Sequence, residues 1–335
     1  MRKDVLSLYN FPMSSVIILH NSRAGRATYA AQVEQLADDL THDGHSVRLE
    51  RRENIAGLRT AARQAAAAGT SAVLVAGGDG TVGAIAGELA GTATALGILP
   101  AGTANVLAKT LHIPRPGFGR PSHFTQAARL LLDSPAQLTD LGCANGEHFL
   151  VWAGMGLDAL VTQVFERQRE VSRRVGGFAY NVAVTFISAR DWHGLNLTLR
   201  ASGPKGASQV SGHFLMATVC HTGWHGGGLF SFTDDFHLDD GLMDLWAFEG
   251  RTYADGLAMA AQVFTGRHRH GHPKIHRLTG SSFEFEAMEP QMYQVDAEPQ
   301  PATRKLSVSV TPRSLRLLVP PAAAAQLYLN PGSNA

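Results

Sequence analysis

The chain has 335 residues, 44% of them apolar and 17% charged, the make-up of an ordinary globular protein long enough for two packed domains. Its 29 Lys and Arg against 28 Asp and Glu leave a formal charge of +1, so no basic excess marks a dedicated nucleic-acid binder. Two cysteines, Cys143 and Cys220, exclude a disulfide framework or a thiolate metal site, and no apolar run approaches the roughly eighteen residues of a membrane span.

Residues 1–14 read as a lead-in, with Arg2 and Lys3 but no signal-peptide apolar region behind them. A reducing, cytoplasmic location is expected, with membrane contact at the surface alone. Ser15 to Leu19 is a predicted strand that ends in the loop His20-Asn21-Ser22-Arg23-Ala24-Gly25. Apolar residues at helical spacing (Ala30, Val33, Leu36, Ala37, Leu40) predict a helix over Tyr29 to Leu40, broken by Gly44 before a strand at Ser46 to Leu49. An Ala-rich helix from Ile55 to Ala68 stops at Gly69.

Two glycine loops follow. Val73 to Ala76 is a short apolar strand that runs into Gly77-Gly78-Asp79-Gly80-Thr81 and a helix to Leu89. Ala95 to Leu99 repeats the pattern with Pro100-Ala101-Gly102-Thr103-Ala104-Asn105 and a helix from Asn105 to Leu111, closed by His112-Ile113-Pro114. A strand that ends in glycines and opens a helix turns backbone N–H groups and the positive helix end toward one point, which suits phosphate. Asp79 either holds a hard cation such as Mg²⁺ inside that cradle or bonds turn N–H groups. No Gly-x-x-x-x-Gly-Lys-Ser/Thr P-loop is present, and the Gly77 loop does not match Gly-x-Gly-x-x-Gly. The β–α alternation with short connections predicts a three-layer α/β domain on a parallel sheet, its ligands beyond the carboxyl ends of the strands.

After about residue 140 strands dominate. Leu138 to Cys143 and His148 to Trp152 flank the hairpin signal Asn145-Gly146. Further runs lie at Leu195 to Arg200, Gly212 to Cys220, Leu242 to Phe248, Ser282 to Phe285, Met292 to Val295, Leu306 to Val310 and Leu315 to Val319. Helices are predicted at Ala179 to Ala189 and Tyr253 to Phe264, and the stretch from Pro320 onward reads as a tail. A β-rich, sandwich-like second domain is expected over residues 141–314, closely packed on an N-terminal domain of residues 1–140 with a cleft between them. Trp152 and Trp224 read as core or cleft lining, and the Gly-rich His221 to Gly228 as a rim. Gly266 to Lys274, with three histidines and three cations, is a solvated loop, a metal site or a basic surface facing anionic phospholipid.

The order of these motifs resembles the diacylglycerol-kinase catalytic-domain family, which includes bacterial lipid kinases and the sphingosine and ceramide kinases. The matching stretches are Asn21 to Gly25, Gly77 to Thr81, Pro100 to Asn105, Thr139-Asp140-Leu141-Gly142, Leu238 to Leu242, His272-Pro273 and Gln294 to Pro299. The resemblance implies an N-terminal nucleotide-binding domain, completed by about residues 315–330, with ATP in the interdomain cleft. It implies transfer of the γ-phosphate to a lipid hydroxyl such as that of diacylglycerol, with Mg²⁺ as cofactor and a peripheral membrane surface as partner. It leaves open which lipid is used and the oligomeric state.

By the same resemblance Asn21, Ser22, Gly25, Gly77, Gly78, Asp79, Gly80, Thr81, Gly102, Thr103 and Asn105 border the nucleotide. Asp79 holds the catalytic Mg²⁺ with Asp140 behind it, and Glu298 is the general base. The Asp240 carboxylate and the carbonyls of His237 and Leu242 form a structural metal loop, the alternative being a plain Asp-Gly turn. Three departures stand out. Ser22 and Ala24 replace Pro and Ser, Val106 replaces an acid (leaving Asp140 to carry more of the metal binding), and Ala297 replaces a Gly whose loss strains the chain if φ is positive there. Rival readings are an NAD kinase-like enzyme, which shares the first loop, and a catalytically weak nucleotide- or lipid-sensing regulator.

Overall fold

The computed structural model describes residues 14–22, 29–115, 123–167, 184–185, 187–329 and 331. Four strands, β1 (Ser15–Asn21), β2 (Ser46–Arg52), β3 (Ala72–Gly77) and β4 (Ala95–Pro100), lie parallel in the order β2-β1-β3-β4. Every residue of β3 and β4 is buried, which is why they read as unbroken apolar runs rather than alternating ones. Between them run α1 (Tyr29–His42), α2 (Ile55–Ala67) and α3 (Asp79–Leu89); α4 (Val106–Thr110) and α5 (His123–Leu132) follow β4. Helix α1 packs with α5 and α2 with α3, giving helix–sheet–helix layering. Val33, Leu36 and Leu40 of α1 are wholly buried at helical spacing, each stabilising the layer by about 1.5–3 kcal/mol.

The second half is antiparallel. Strand β5 (Ala136–Ala144) turns at Asn145 (φ 49°) and Gly146 (φ 92°) into β6 (Glu147–Phe149), as the Asn-Gly signal requires. Then come β7 (Trp152–Gly156), α6 (Leu157–Arg167), β8 (Leu195–Gly203), β9 (Gly206–Cys220), the short pair β10 (Trp224–His225) and β11 (Phe230–Ser231), and β12 (Met243–Glu249). Helix α7 (Tyr253–Phe264), β13 (Ile275–Gly280), β14 (Ser282–Val295), β15 (Glu298–Leu318) and α8 (Pro321–Leu327) complete the chain. Phe149, Phe214, Phe283 and Phe285 fill the centre of the β-rich half. The predicted Ala179 helix lies partly outside the described residues, and 184–185 and 187–190 are helical.

Two sequence expectations need correction. The four runs expected after residue 281 are two long strands, because strand pairing resumes beyond each gap, which is absorbed as a register shift, between Glu286 and Tyr293 in β14 and between Thr311 and Leu315 (with Arg313 at φ 48°) in β15. The expected tail is a docked helix: Pro321 occupies its first turn, where a missing N–H costs nothing, and Tyr328 is buried with its hydroxyl 2.6 Å from Thr139 Oγ1. Strand β15 also returns to the first sheet, with Leu317 paired in parallel to Leu96 of β4. The two halves therefore share one thirteen-stranded sheet.

Candidate functional site

Parallel pairing of β3 with β4 places Gly77 opposite Pro100, so the two glycine loops leave the sheet edge side by side. They touch: a Cβ on Gly102 would sit 2.5 Å from Gly78 Cα, an approach that only glycine permits. Asp79 opens α3 and reaches across to the second loop, where its carboxylate accepts N–H bonds from Val106 (3.0 Å) and Leu107 (3.1 Å). Of the two readings of this residue, the local turn is thus replaced by a cap on the neighbouring helix α4. Asn105 adopts the left-handed conformation (φ 50°) and closes its own loop, accepting from Gly102 N and donating to Gly102 O. Asn21, at the end of β1, donates to Thr81 Oγ1 at 3.0 Å and so ties the first strand to the first loop. Several N–H groups expected to face a phosphate are therefore committed to Asp79 and Asn105. The cradle is braced by its own side chains.

Ser22 donates to Arg52 O, and Gly25 lies outside the described residues. Val106 is fully buried and packs in the core, so an acid there would be desolvated in this chain.

The β14–β15 turn lies against the same helix. On α3, Gly80, Gly83 and Gly87 form one face: a Cβ on Gly80 would come within 2.5 Å of Glu298 Cγ, one on Gly83 would collide with Asp296, and one on Gly87 would meet His148 Nδ1 at 2.5 Å. Gly80, read in sequence only as part of a phosphate loop, together with Gly83 and Gly87 is also what lets the second half of the chain seat on α3. Asp296 is buried, and its carboxylate accepts N–H bonds from Leu150, Val151 and Trp152 at 2.9–3.0 Å. Burial nonetheless pushes it up to about 7, with nearby Asp79 adding to the rise. Burial raises Asp79 as well, against backbone N–H groups, those of Leu107 and Val106 foremost, that favour its charged form.

The turn is held from behind by a chain of bonds that sequence reasoning missed. Gln294, wholly buried, donates to Asp158 Oδ2 (3.0 Å) and accepts from Ala297 N (2.9 Å). No local signal links residues 136 apart in sequence; only the pairing of β7 with β14 joins them. Ala297 itself sits at φ 63°, so the condition for strain is met. Left-handed backbone costs a residue with a Cβ about 1–2 kcal/mol, and glycine's extra freedom in the unfolded chain takes back about half of that. Ala297→Gly should therefore stabilise the protein by about 0.5–1 kcal/mol, read as a higher urea midpoint at unchanged slope. A lower midpoint would mean that the turn is not strained.

A cleft of about 360 Å³ lies between Ile55, Arg59, Gly80 and Ala84 on one side and Glu147, His148, Asp296, Glu298 and Gln300 on the other. Arg59 pairs with Glu147 across it. Burial, with Arg59 beside it, lowers the His148 pKa and so favours its neutral form.

Asp140 is the clearest correction among the site residues. It does not join Asp79. Strand β5 delivers it to the Asp240 loop, where its carboxylate accepts from Gly241 N (2.6 Å) and Arg313 N (2.7 Å), with Asp239 and Asp240 for neighbours. Burial, together with those like charges, raises it to about 6. Asp240 accepts from Leu242 N at 2.9 Å, the bond of an Asp-Gly turn. In the 266–274 loop, His268 is buried and bonds to Phe232 O and Gln262 O while His270 is exposed, so these histidines do not converge. Among the described residues no group of three His, Cys, Asp or Glu side chains could hold a metal alone.

Trp152 is buried in the core, and Trp224 lies under the Lys109 ammonium, 3.1 Å from the ring centroid. The same Lys109 donates to Gly228 O at 2.5 Å, so helix α4 of the second loop is tied to the Gly-rich rim.

Residues 15–144 match the family model of the diacylglycerol kinase catalytic domain, and residues 152–319 match that of the YegS C-terminal NAD kinase beta sandwich-like domain. A Pseudomonas aeruginosa protein named "Probable lipid kinase YegS-like" is 32% identical over 91% of this chain and 94% of its own length. The diacylglycerol kinase of Bacillus subtilis is 23% identical over 76% of this chain and 80% of that one. An uncharacterised protein of Synechocystis is 26% identical over 80% of this chain, which spans 59% of that relative's length. The crystal structure of a diacylglycerol kinase from Bacillus anthracis shares the fold, with a TM-score of 0.69 at 19% identity, covering 93% of this chain and 99% of that one.

Proposed function

The chain belongs to the diacylglycerol kinase catalytic-domain family, and on that premise we propose that it transfers the γ-phosphate of ATP to the hydroxyl of a lipid alcohol such as diacylglycerol, with Mg²⁺. The observation that carries this reading is the meeting of three parts at Gly80: the paired glycine loops, the Asp79 carboxylate and the Glu298 side chain. Loop N–H groups not engaged by Asp79 or Asn105, together with the α3 terminus, would receive the phosphates. Asn21 and Thr81 would position them from the β1 side.

The donor set suits Mg²⁺. Asp79 offers two carboxylate oxygens, hard donors of the kind this ion prefers, in a setting whose burial disfavours an uncompensated negative charge. With Asp296 and Glu298 close by, a bare triphosphate would meet carboxylates, a repulsion that a cation removes. A single protein carboxylate supplemented by phosphate oxygens and water is the usual way this ion is held, so the residues fit. When bound there, the ion would neutralise charge developing on the transferred group.

Glu298 would accept the proton of the lipid hydroxyl as that oxygen bonds to the γ-phosphorus and the bond to the β–γ bridging oxygen breaks, releasing ADP. The Asp158–Gln294–Ala297 chain and the Asp296 bonds would keep its carboxylate aimed at Gly80. The Asp240 loop would serve stability rather than transfer, with or without a metal.

The test is an assay of labelled ATP against diacylglycerol, phosphatidylglycerol, a sphingoid base and NAD. Transfer to a lipid supports the proposal. Transfer to NAD alone would install the NAD kinase-like reading, and ATP binding without transfer to any acceptor would favour the regulator.

A further inference from the structure

Helix α7 breaks the rule that a surface helix shows water a polar face. Its Thr252 capping box marks a firm start, and Met259 and Val263 are its buried residues, yet the opposite side is apolar as well. Ala254, Leu257, Ala258, Ala261 and Phe264 recur at helical spacing along that exposed side, with Leu257 44% and Phe264 63% accessible. Asp255, the helix's one charged side chain, is consumed by the capping box and by Lys274. The stripe continues onto the rim hairpin, where the Phe264 ring lies 5.6 Å from that of Phe230 and Leu229 is 41% exposed. That hairpin is the one tied through Gly228 to Lys109 of α4, directly behind the second glycine loop.

Cations frame the stripe. Arg251 precedes the helix, Arg267, Arg269 and Lys274 follow it, and all four are exposed. Arg269 and Lys274 share the carboxylates of Asp234 and Asp255, while no ion pair is recorded for Arg251 or Arg267 among the described residues. An apolar stripe bounded by arginines complements a bilayer whose surface is anionic: acyl chains take the apolar side chains and headgroup phosphates take the guanidiniums.

We propose that α7, the Leu229 tip and the flanking Arg251 and Arg267 form a docking surface for an anionic phospholipid bilayer, which sets the rim hairpin against the membrane from which the lipid acceptor is drawn. The proposal rests on the lipid-kinase reading above but does not share its test. The full chain would be sedimented with vesicles of phosphatidylcholine alone and of phosphatidylcholine with about 30% phosphatidylglycerol. Wild type should partition onto the anionic vesicles, and added salt should weaken the binding. Leu257→Glu with Phe264→Glu should cut partitioning at least tenfold and slow transfer to vesicle-embedded diacylglycerol, while transfer to a short-chain, detergent-dispersed diacylglycerol stays unchanged. Arg251→Glu with Arg267→Glu should erase the preference for anionic vesicles. Should the double-Glu protein fold poorly, Leu257→Ala with Phe264→Ala gives the same direction.

Wild-type partitioning by the double variant overturns the proposal, as does failure of wild type to bind vesicles. A change of the variant from dimer to monomer with unchanged vesicle binding also overturns it and makes the stripe a contact between copies. Docking without transfer to any lipid would instead sink the kinase reading and leave the surface intact.

Discussion

Asp79→Asn should reduce phosphoryl transfer by about 10³-fold or more while leaving a folded protein, because the substitution removes the charge and keeps the shape. The asparagine carbonyl can still accept one of the two N–H bonds from Val106 and Leu107, so α4 loses at most part of its cap. That loss amounts to about 1 kcal/mol, visible in a urea titration but too small to unfold the chain. Asp79→Ala should lose both bonds and cost about 1–2 kcal/mol, again with no detectable transfer. Measuring stability and turnover on the same preparations separates the two roles of this side chain. If Asp79→Asn keeps wild-type turnover, the carboxylate is a helix cap and nothing more, and the metal assignment falls.

Glu298→Gln should lower kcat by about 10²–10⁴-fold, the usual share of a general base, with ATP affinity little changed. Glutamine matches glutamate in volume, so the contact with Gly80, where a Cβ would lie 2.5 Å from Glu298 Cγ, survives the exchange. The loss should therefore fall on kcat rather than on the KM for ATP. An unaltered kcat would remove Glu298 from the chemistry and leave it as packing against α3. The converse substitution, Gly80→Ala, should damage both halves of the site at once, since its methyl would displace Glu298.

Much of the first half was legible because its signals are local. Buried parallel strands must be apolar along their whole length, so Val73 to Ala76 and Leu96 to Leu99 stand out, and glycines at their ends announce the loops. The Asn145-Gly146 turn was legible for the same reason: a positive φ at both residues is a demand met within the turn itself. Strand ends in the second half were not, since strand pairing resumes after register shifts near Met288 and Arg313, at residues that locally resemble turns. The helix after Pro320 was lost because its stability comes from tertiary partners, with Tyr328 on Thr139 and Leu329 N on Asp239.

What the amino-acid order determined by itself was chemistry at short range: two phosphate-suited loops and a carboxylate between them, with an alanine at 297 whose positive φ only the structure revealed. What only the tertiary structure decided was company. It brought Asp79 to the N–H groups of α4, set Glu298 against Gly80, and sent Asp140 to the Asp240 loop instead. It also left one side of α7 apolar and uncovered. The physical reason is that N–H, carboxylate and packing partners found 27 to 218 residues away, such as Val106 for Asp79 and Glu298 for Gly80, depend on sheet order and register, which no short window of sequence encodes.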